Sequence, residues 1–490
     1  MEEKDIHKSL GLNAVLNGFQ SILNLMFPII TFPYVSRILS VGSMGIYNFS
    51  NTYINYFLLI AGLGINTYAV REGSKLRDNI KKISVFSSQI FSINMVSTIF
   101  AYILLILSLL LFKKLQVYAL CISVFSLQIL FTTLGTNWIY IIYEDYAYIT
   151  LRNIIFKIIS IIMLFIFVRN PNDYVIYAAI TVFASVGSNI LNYFHAKSFL
   201  TLKLTNRMNL QYHLKPILII FASVMGVTLY ASCNNTILGL IKGDYAVGIY
   251  SVSLKIYTIS QSLLSAILTV TIPRLSMLYG KKQFNEYSKL LFRLINLLVV
   301  LSLPAATGLV MLSKNVVLII AGEKYFPSTN SLSIVSWAII FSLFSWIFSD
   351  CVLLPAKREN KLLISTIITA IFNVLINLLL IPFWSYDAAA LSTVLSELLV
   401  MFLNGYYGRD ILRNIVNIRL VLKNIIESLV GCLAIVIVCF ICNFMIRSLI
   451  VALCTAIPIS IILYIMILSL LKNESILGLL NLVLTKFSKN

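Results

Sequence analysis

Fourteen apolar stretches follow one another along this chain, separated by short polar segments. They run over about 10–38, 45–70, 83–112, 116–142, 147–168, 174–200, 216–241, 245–272, 289–312, 328–355, 361–382, 388–408, 424–446 and 449–471. Hydrocarbon offers a backbone no hydrogen-bond partner, so a crossing segment satisfies its own N–H and C=O groups as a helix. Roughly 20 apolar residues suffice for one crossing. The pattern predicts an all-α polytopic membrane protein with about 14 transmembrane helices. The longest breaks, near 201–215, 273–288 and 409–423, leave no room for a soluble domain. Function is therefore expected among the helices. The opening MEEKDIHKSL is polar and mixed in charge, and the apolar stretch after it is too long for a signal peptide.

Composition sharpens this picture. Hydrophobic residues make up 59% of the chain and charged residues only 11%. Lys and Arg set the orientation of such a protein. With a cytoplasmic N-terminus, 27 of the 37 Lys and Arg fall on inner segments and 7 on outer ones. Arg37, Lys157 and Lys255 remain, within or at the edge of spans. An even span count with both termini inside fits that split. The net charge of +19 is spread over hairpins and forms no single patch, which argues against nucleic acid. Anionic inner-leaflet lipid is the expected partner of those charges. The seven cysteines lie in or beside apolar spans, and Cys439-x-x-Cys442 reads as small packing residues inside a helix. His7, His195 and His213 are scattered. No metal-ligand spacing, nucleotide-binding loop or Ser/His/Asp set is present, so no cofactor is expected and a pump or hydrolase is disfavoured.

An internal repeat adds architecture. Gly45-Ile46-Tyr47 returns as Gly248-Ile249-Tyr250, an offset of 203, and Ser50 and Arg71 meet Ser253 and Arg274 at that offset. Trp138-Ile139 echoes as Trp346-Ile347 at 208, and Leu191-Asn192 as Leu403-Asn404 at 212. Spans 1–6 and 7–12 then form two like halves. Six spans per half give both the same orientation, as in parallel-repeat transporters. The expected division is 1–203, 204–423, and 424–490 for spans 13–14 and a cytoplasmic tail.

Ionisable side chains inside spans are costly unless they meet a partner or a wet cavity. Lys255, Lys157 and Glu397 lie deep in spans 8, 5 and 12, and Arg37 ends span 1 on the outer side after Pro28 and Pro33. A cavity-lining role stands for Arg37 and Lys255 beside interfacial snorkelling or an ion pair. Lys157 has a stem long enough to reach headgroups. Glu397 serves equally as a structural partner of Lys157 or Lys255. Asn13, Asn17, Gln20 and Asn24 share one face of span 1, either as helix–helix glue or as the lining of a hydrated cavity. Asn373 and Asn377 read as packing, and Tyr140, Tyr143, Tyr146 and Tyr148 as an interfacial aromatic belt.

These residues fall within a recognisable order of motifs. FPYVSRILSVGSMGIYNFSNTYINYFLLIAGLGINTYAVRE (32–72) closely resembles the first hairpin of bacterial oligosaccharide flippases of the Wzx type. NWIYIIYEDYAYITLRNIIFK (137–157) is similar to that family's Trp, Glu and Arg-Asn-x-x-x-Lys segment. GIYSVSLKIYTIS with IPRLS (248–276), LPAATG (303–308), AGEKY (321–325) and the stretch 362–398 follow in the same order. The resemblance covers about residues 10–410. It departs at Ser40-Val41-Gly42, and lacks glycines often found near Ile142 and Ser385.

The resemblance implies a multidrug-exporter-like fold, two six-helix lobes around a central cavity plus two C-terminal helices. It implies a bacterial cytoplasmic-membrane transporter of undecaprenyl-pyrophosphate-linked oligosaccharides, working by alternating access for O-antigen, capsule or exopolysaccharide. Arg37, Lys255 and then Lys157 are the expected contacts to pyrophosphate or acidic sugar. The Asn and Gln of span 1 would meet sugar hydroxyls. The sugar and any coupling ion, H+ or Na+, stay open, and a polymerase is a conceivable assembly partner. A multidrug or lipid II exporter of the same fold is the alternative, and a membrane polymerase or glycosyltransferase a more distant one.

Overall fold

The computed structural model describes residues 23, 26–197, 200–413 and 415–478, apart from the side chains of residues 146, 223, 227, 230 and 231. The described residues are helical with no strand. Eleven of their helical segments are long and apolar enough to cross a membrane, against fourteen expected. The first, seventh, eleventh and twelfth expected spans account for the difference. Of the first expected span, residue 23 and residues 26–38, helix α1, are described. The seventh lies in α10 (Leu210–Lys242), a helix of 33 residues. The eleventh and twelfth run together in α16 (Glu359–Tyr407), 49 residues long and broken at Ser385, whose φ of 50° and ψ of −126° are not helical. Pro382, three residues earlier, lacks the N–H that a continuous helix needs there.

The chain divides into two compact units, 1–248 and 249–490. In the first, α2 (Val41–Gly62) packs against α4 (Ile80–Leu111), α5 (Ala119–Gly135), α8 (Tyr174–Val186) and α10. Ser40 caps α2, its hydroxyl accepting from Ser43 N at 3.1 Å. Asn79 caps α4 through Lys82 N. The outward side of α4 shows Val96, Ile99, Phe100, Ile103, Ile106, Leu107 and Leu110, a stripe at helical spacing suited to acyl chains. Below α2, the short α3 (Ile65–Gly73) joins α6 (Asn137–Ile142) in a core of Ile65, Tyr68, Phe86, Trp138, Ile139 and Tyr140.

The repeated glycines allow two helix starts to touch. α11 (Asp244–Gly280) begins beside α2. A Cβ on Gly45 would strike the carbonyl of Asp244, and a Cβ on Gly248 would strike that of Val41. The contact is reciprocal: each glycine meets the residue four before the other. Tyr118 fixes the same corner by donating its hydroxyl to the Asp244 carboxylate.

Hydrogen bonds repeat with the sequence. The Tyr47 hydroxyl pairs with that of Thr181 at 3.0 Å, and the Tyr250 hydroxyl with that of Thr393 at 2.9 Å. Asn192 donates to Asn137 Oδ1 at 2.8 Å, and Asn404 to the Ser345 hydroxyl at 3.3 Å. The offsets, 203, 212 and 208, are those of the three sequence echoes.

In the second unit, α12 (Phe284–Met311), α18 (Ile418–Met445) and α19 (Leu449–Leu470) share a core of Val300, Leu312, Ile435, Cys439, Ala456, Tyr464 and Leu468. The Tyr464 hydroxyl donates to Val300 O at 2.8 Å, across that core. One end is clasped by amides: Asn424 donates to Asn296 Oδ1, and Asn473 to Asn424 Oδ1 and Glu427 Oε2. The two last spans are thereby fastened to α12. Asn373 and Asn377 are fully buried packing residues, as expected. Asn377 donates to Asn373 Oδ1, Asn373 to Ser396 Oγ, and Ser392 to Asn377 Oδ1, stitching the halves of α16 together.

Candidate functional site

Lys255 is the twelfth residue of α11, roughly 16 Å along its axis. Its side chain is half-buried. Among the described residues its ammonium makes no hydrogen bond and no ion pair. Glu397, half-buried in the second part of α16, is therefore not its ion-pair partner. Glu397 instead neighbours Tyr257 electrostatically. The alternative of a structural Lys255–Glu397 pair falls away, and a cation within a span keeps its need for an anion or water.

Arg37 lies at the end of α1 and is exposed. The same helix end is anchored by Tyr34, whose hydroxyl donates to Val168 O at 2.9 Å. Lys157 is half-buried on α7 (Tyr146–Phe167), its ammonium 5.9 Å from the ring centre of Phe27 on α1. Asn13, Asn17, Gln20 and Asn24 lie outside the described residues.

Each unit also holds an apolar pocket. One, of about 360 Å³, is lined by Phe49, Tyr53, Phe112, Lys113, Lys114 and Leu240. The other, of about 470 Å³, is lined by Val310, Trp337, Phe341, Leu391 and Leu398. Neither contains Arg37, Lys157, Lys255 or Glu397.

The sequence reading missed two groups. Asp350 lies half-buried within Ile347–Leu353, a π-helical turn at the end of its span. Such turns recur at functional positions. A carboxylate inside an apolar run was the signal. The second is Arg152, expected as a solvated inner charge and found only 7% exposed. Its guanidinium lies 5.7 Å from the Tyr148 ring centre. The expected aromatic belt is corrected here too. Tyr140 is completely buried, and it stacks with Tyr148 and with His195 of α9 (Asn189–Ala196). Only the tertiary fold brings His195 to this stack, which is why spacing along the chain did not reveal it.

Outside the spans, Arg358 grips Asp410 with a two-pronged contact, Nη1–Oδ1 2.6 Å and Nη2–Oδ2 2.5 Å. The guanidinium holds the Asp410 carboxyl down at about 2. Arg77 pairs with Glu144 at 2.9 Å, tying the turn before α4 to the turn after α6.

Comparison with known proteins gives these positions a context. The family model described as "Polysaccharide biosynthesis protein" matches residues 11–279, and the MatE model matches residues 219–379. A "Putative O-antigen transporter" from Shigella dysenteriae is 24% identical over 382 residues, covering 77% of this chain and 94% of the relative. Its namesake from Escherichia coli strain K12 is 26% identical over 271 residues, 55% of this chain and 65% of the relative. Among solved structures, the lipid II flippase MurJ in an inward closed conformation superposes with a TM-score of 0.76 at 14% identity. That match covers 94% of this chain and 99% of the flippase. At such identity the likeness establishes the fold.

Proposed function

Because this chain belongs to the polysaccharide biosynthesis protein family, we propose that it moves undecaprenyl-pyrophosphate-linked oligosaccharide repeat units from the inner to the outer leaflet of the bacterial cytoplasmic membrane. The observation that carries this reading is Lys255, a half-buried cation deep in a span with no anionic partner among the described residues. A phosphoryl group is a dianion or monoanion that hydrocarbon rejects. An ammonium held within the membrane offsets that charge while the polyprenyl tail stays in lipid. Arg37 and Lys157 extend the same chemistry, Arg as a bidentate fork and Lys as a point charge. Alternating access moves the headgroup without making or breaking a covalent bond, so the protein acts as a transporter.

The test follows the fate of the repeat unit. Cells lacking the protein should accumulate complete, unpolymerised lipid-linked units on the cytoplasmic face. Lipid extraction with lectin accessibility of the sugar reads this out. Complete units exposed on the outer face would refute the proposal, as a missing polymerase leaves that pattern. Truncated units inside would favour a glycosyltransferase.

A further inference from the structure

We propose that Arg152 is the centre of an oxyanion site, built to hold a phosphate group at the membrane interface of the first unit. The inference concerns none of the residues assigned to transport, and it rests on the transport reading only where the phosphate is that of the lipid-linked unit. Arg152 is 93% withdrawn from solvent, the complement of its 7% exposure. Its Nε and Nη1 have no hydrogen-bond partner. Nη2 reaches only the neutral Asn153 amide oxygen, at 3.3 Å. Among the described residues no carboxylate makes an ion pair with it. A buried guanidinium without counter-charge is destabilising by several kcal/mol in general terms, so its retention asks for a ligand.

The surroundings are those of a built site. Tyr148 supplies a ring face under the guanidinium, which attracts it without forming a hydrogen bond. Tyr148 stacks on His195 at 4.2 Å and on Tyr140 at 5.4 Å between ring centres. Tyr140 is itself pinned by donating its hydroxyl to Asn192 O at 2.7 Å. Two more buried atoms without a partner lie on the helices around the tyrosine stack, Thr136 Oγ1 at the start of α6 and Asn192 Oδ1 within α9. The cluster lies where three spans stop together, at Ile142, Ala147 and Ala196. Helix ends of that kind mark headgroup depth, where membrane phosphates reside. Nη2 carries a second N–H, and with Nε–H or with Nη1–H it forms a two-pronged edge that matches two oxygens of a phosphate.

The phosphate has two sources, a soluble or lipid-linked pyrophosphate and the headgroup of an anionic phospholipid. Full-length protein in phosphatidylcholine nanodiscs would be titrated with sodium pyrophosphate at constant ionic strength, reading thermal unfolding. Native mass spectrometry after exposure to phosphatidylglycerol vesicles would count retained lipid. Wild type should show a saturable rise in midpoint with pyrophosphate, or retained phosphatidylglycerol, according to the source. Arg152→Gln should weaken whichever is seen by at least tenfold, and Arg152→Lys by less. Should Arg152→Gln fail to fold, Tyr148→Leu, which removes the supporting ring, should weaken the same response several-fold. A response shared equally by wild type and these variants, or no response to either probe in wild type, means that the site holds water alone and overturns the proposal.

Discussion

Lys255 and Arg152 show how one charge can mean two things in a membrane protein. Lys255 was legible because a lysine twelve residues into a helix stands out from its apolar run. Arg152 sits close to a span end, where an arginine ordinarily snorkels to water. Burial beneath Tyr148 removes that escape. Lys255→Ala is expected to abolish surface polysaccharide while the protein stays at its normal level in the membrane, and Lys255→Arg to retain more. Immunoblotting of membranes beside polysaccharide staining checks both, and normal polysaccharide in the alanine strain contradicts the assignment. Ser385 provides a second residue-scale prediction. Its φ of 50° is a conformation that favours glycine, and the resembling family often has glycine near this position. Glu144, beside the other missing glycine, is likewise at φ 56°. Such backbone costs on the order of 1 kcal/mol or more. Ser385→Gly should therefore raise the thermal midpoint of purified protein, and an unchanged or lowered midpoint would show that the Ser385 side chain matters more than its backbone.

Helix ends decide packing at the next scale. The starts of α2 and α11 approach so closely that a single Cβ at Gly45 or Gly248 meets backbone, which cannot swing aside as a side chain does. Gly45→Val and Gly248→Val should each destabilise by about 1–3 kcal/mol through overpacking. Gly42→Ala, where a Cβ meets nothing within 4 Å, is the control and should be close to neutral. Detergent-resistance melts compare the three. The Arg358–Asp410 contact makes a pH-dependent prediction. Asp410 ionises more readily folded than unfolded, so the contact contributes fully above about pH 4, the unfolded range. That contribution fades as pH falls through about 2, the folded value. Asp410→Asn should erase this part of the acid dependence, and an identical acid profile in the variant would deny the contact any role. Both partners are partly exposed, so the effect is expected to be modest and to shrink in high salt.

Over the whole molecule, charge and topology make a single prediction. Inner segments hold most of the Lys and Arg, so cysteines placed near Arg77, Tyr279 and Arg413 should be shielded from impermeant maleimide in intact cells. Cysteines near Lys242 and Trp384 should react. Labelling near Arg77 from outside would reverse the orientation, and with it the direction of transport proposed for the oligosaccharide. Native Cys454 is exposed and would be replaced first to keep the background low.

The sequence alone determined the solvent and the all-helical class, and it carries the repeated residues. Apolar runs in hydrocarbon have one way to satisfy their backbone, and duplicated residues keep their spacing whatever surrounds them. Thus Tyr47 and Tyr250 stand at equivalent places in the sequence, and each bonds a threonine. Tertiary structure decided everything that depends on which side chains from distant segments meet. It separated Lys255 from Glu397, and it carried His195 onto a tyrosine stack about 50 residues upstream. It left Arg152 buried with donors unspent. Periodicity tells which face of a helix is apolar, but a partner's identity depends on how helices far apart in the chain cross, and no local pattern encodes that.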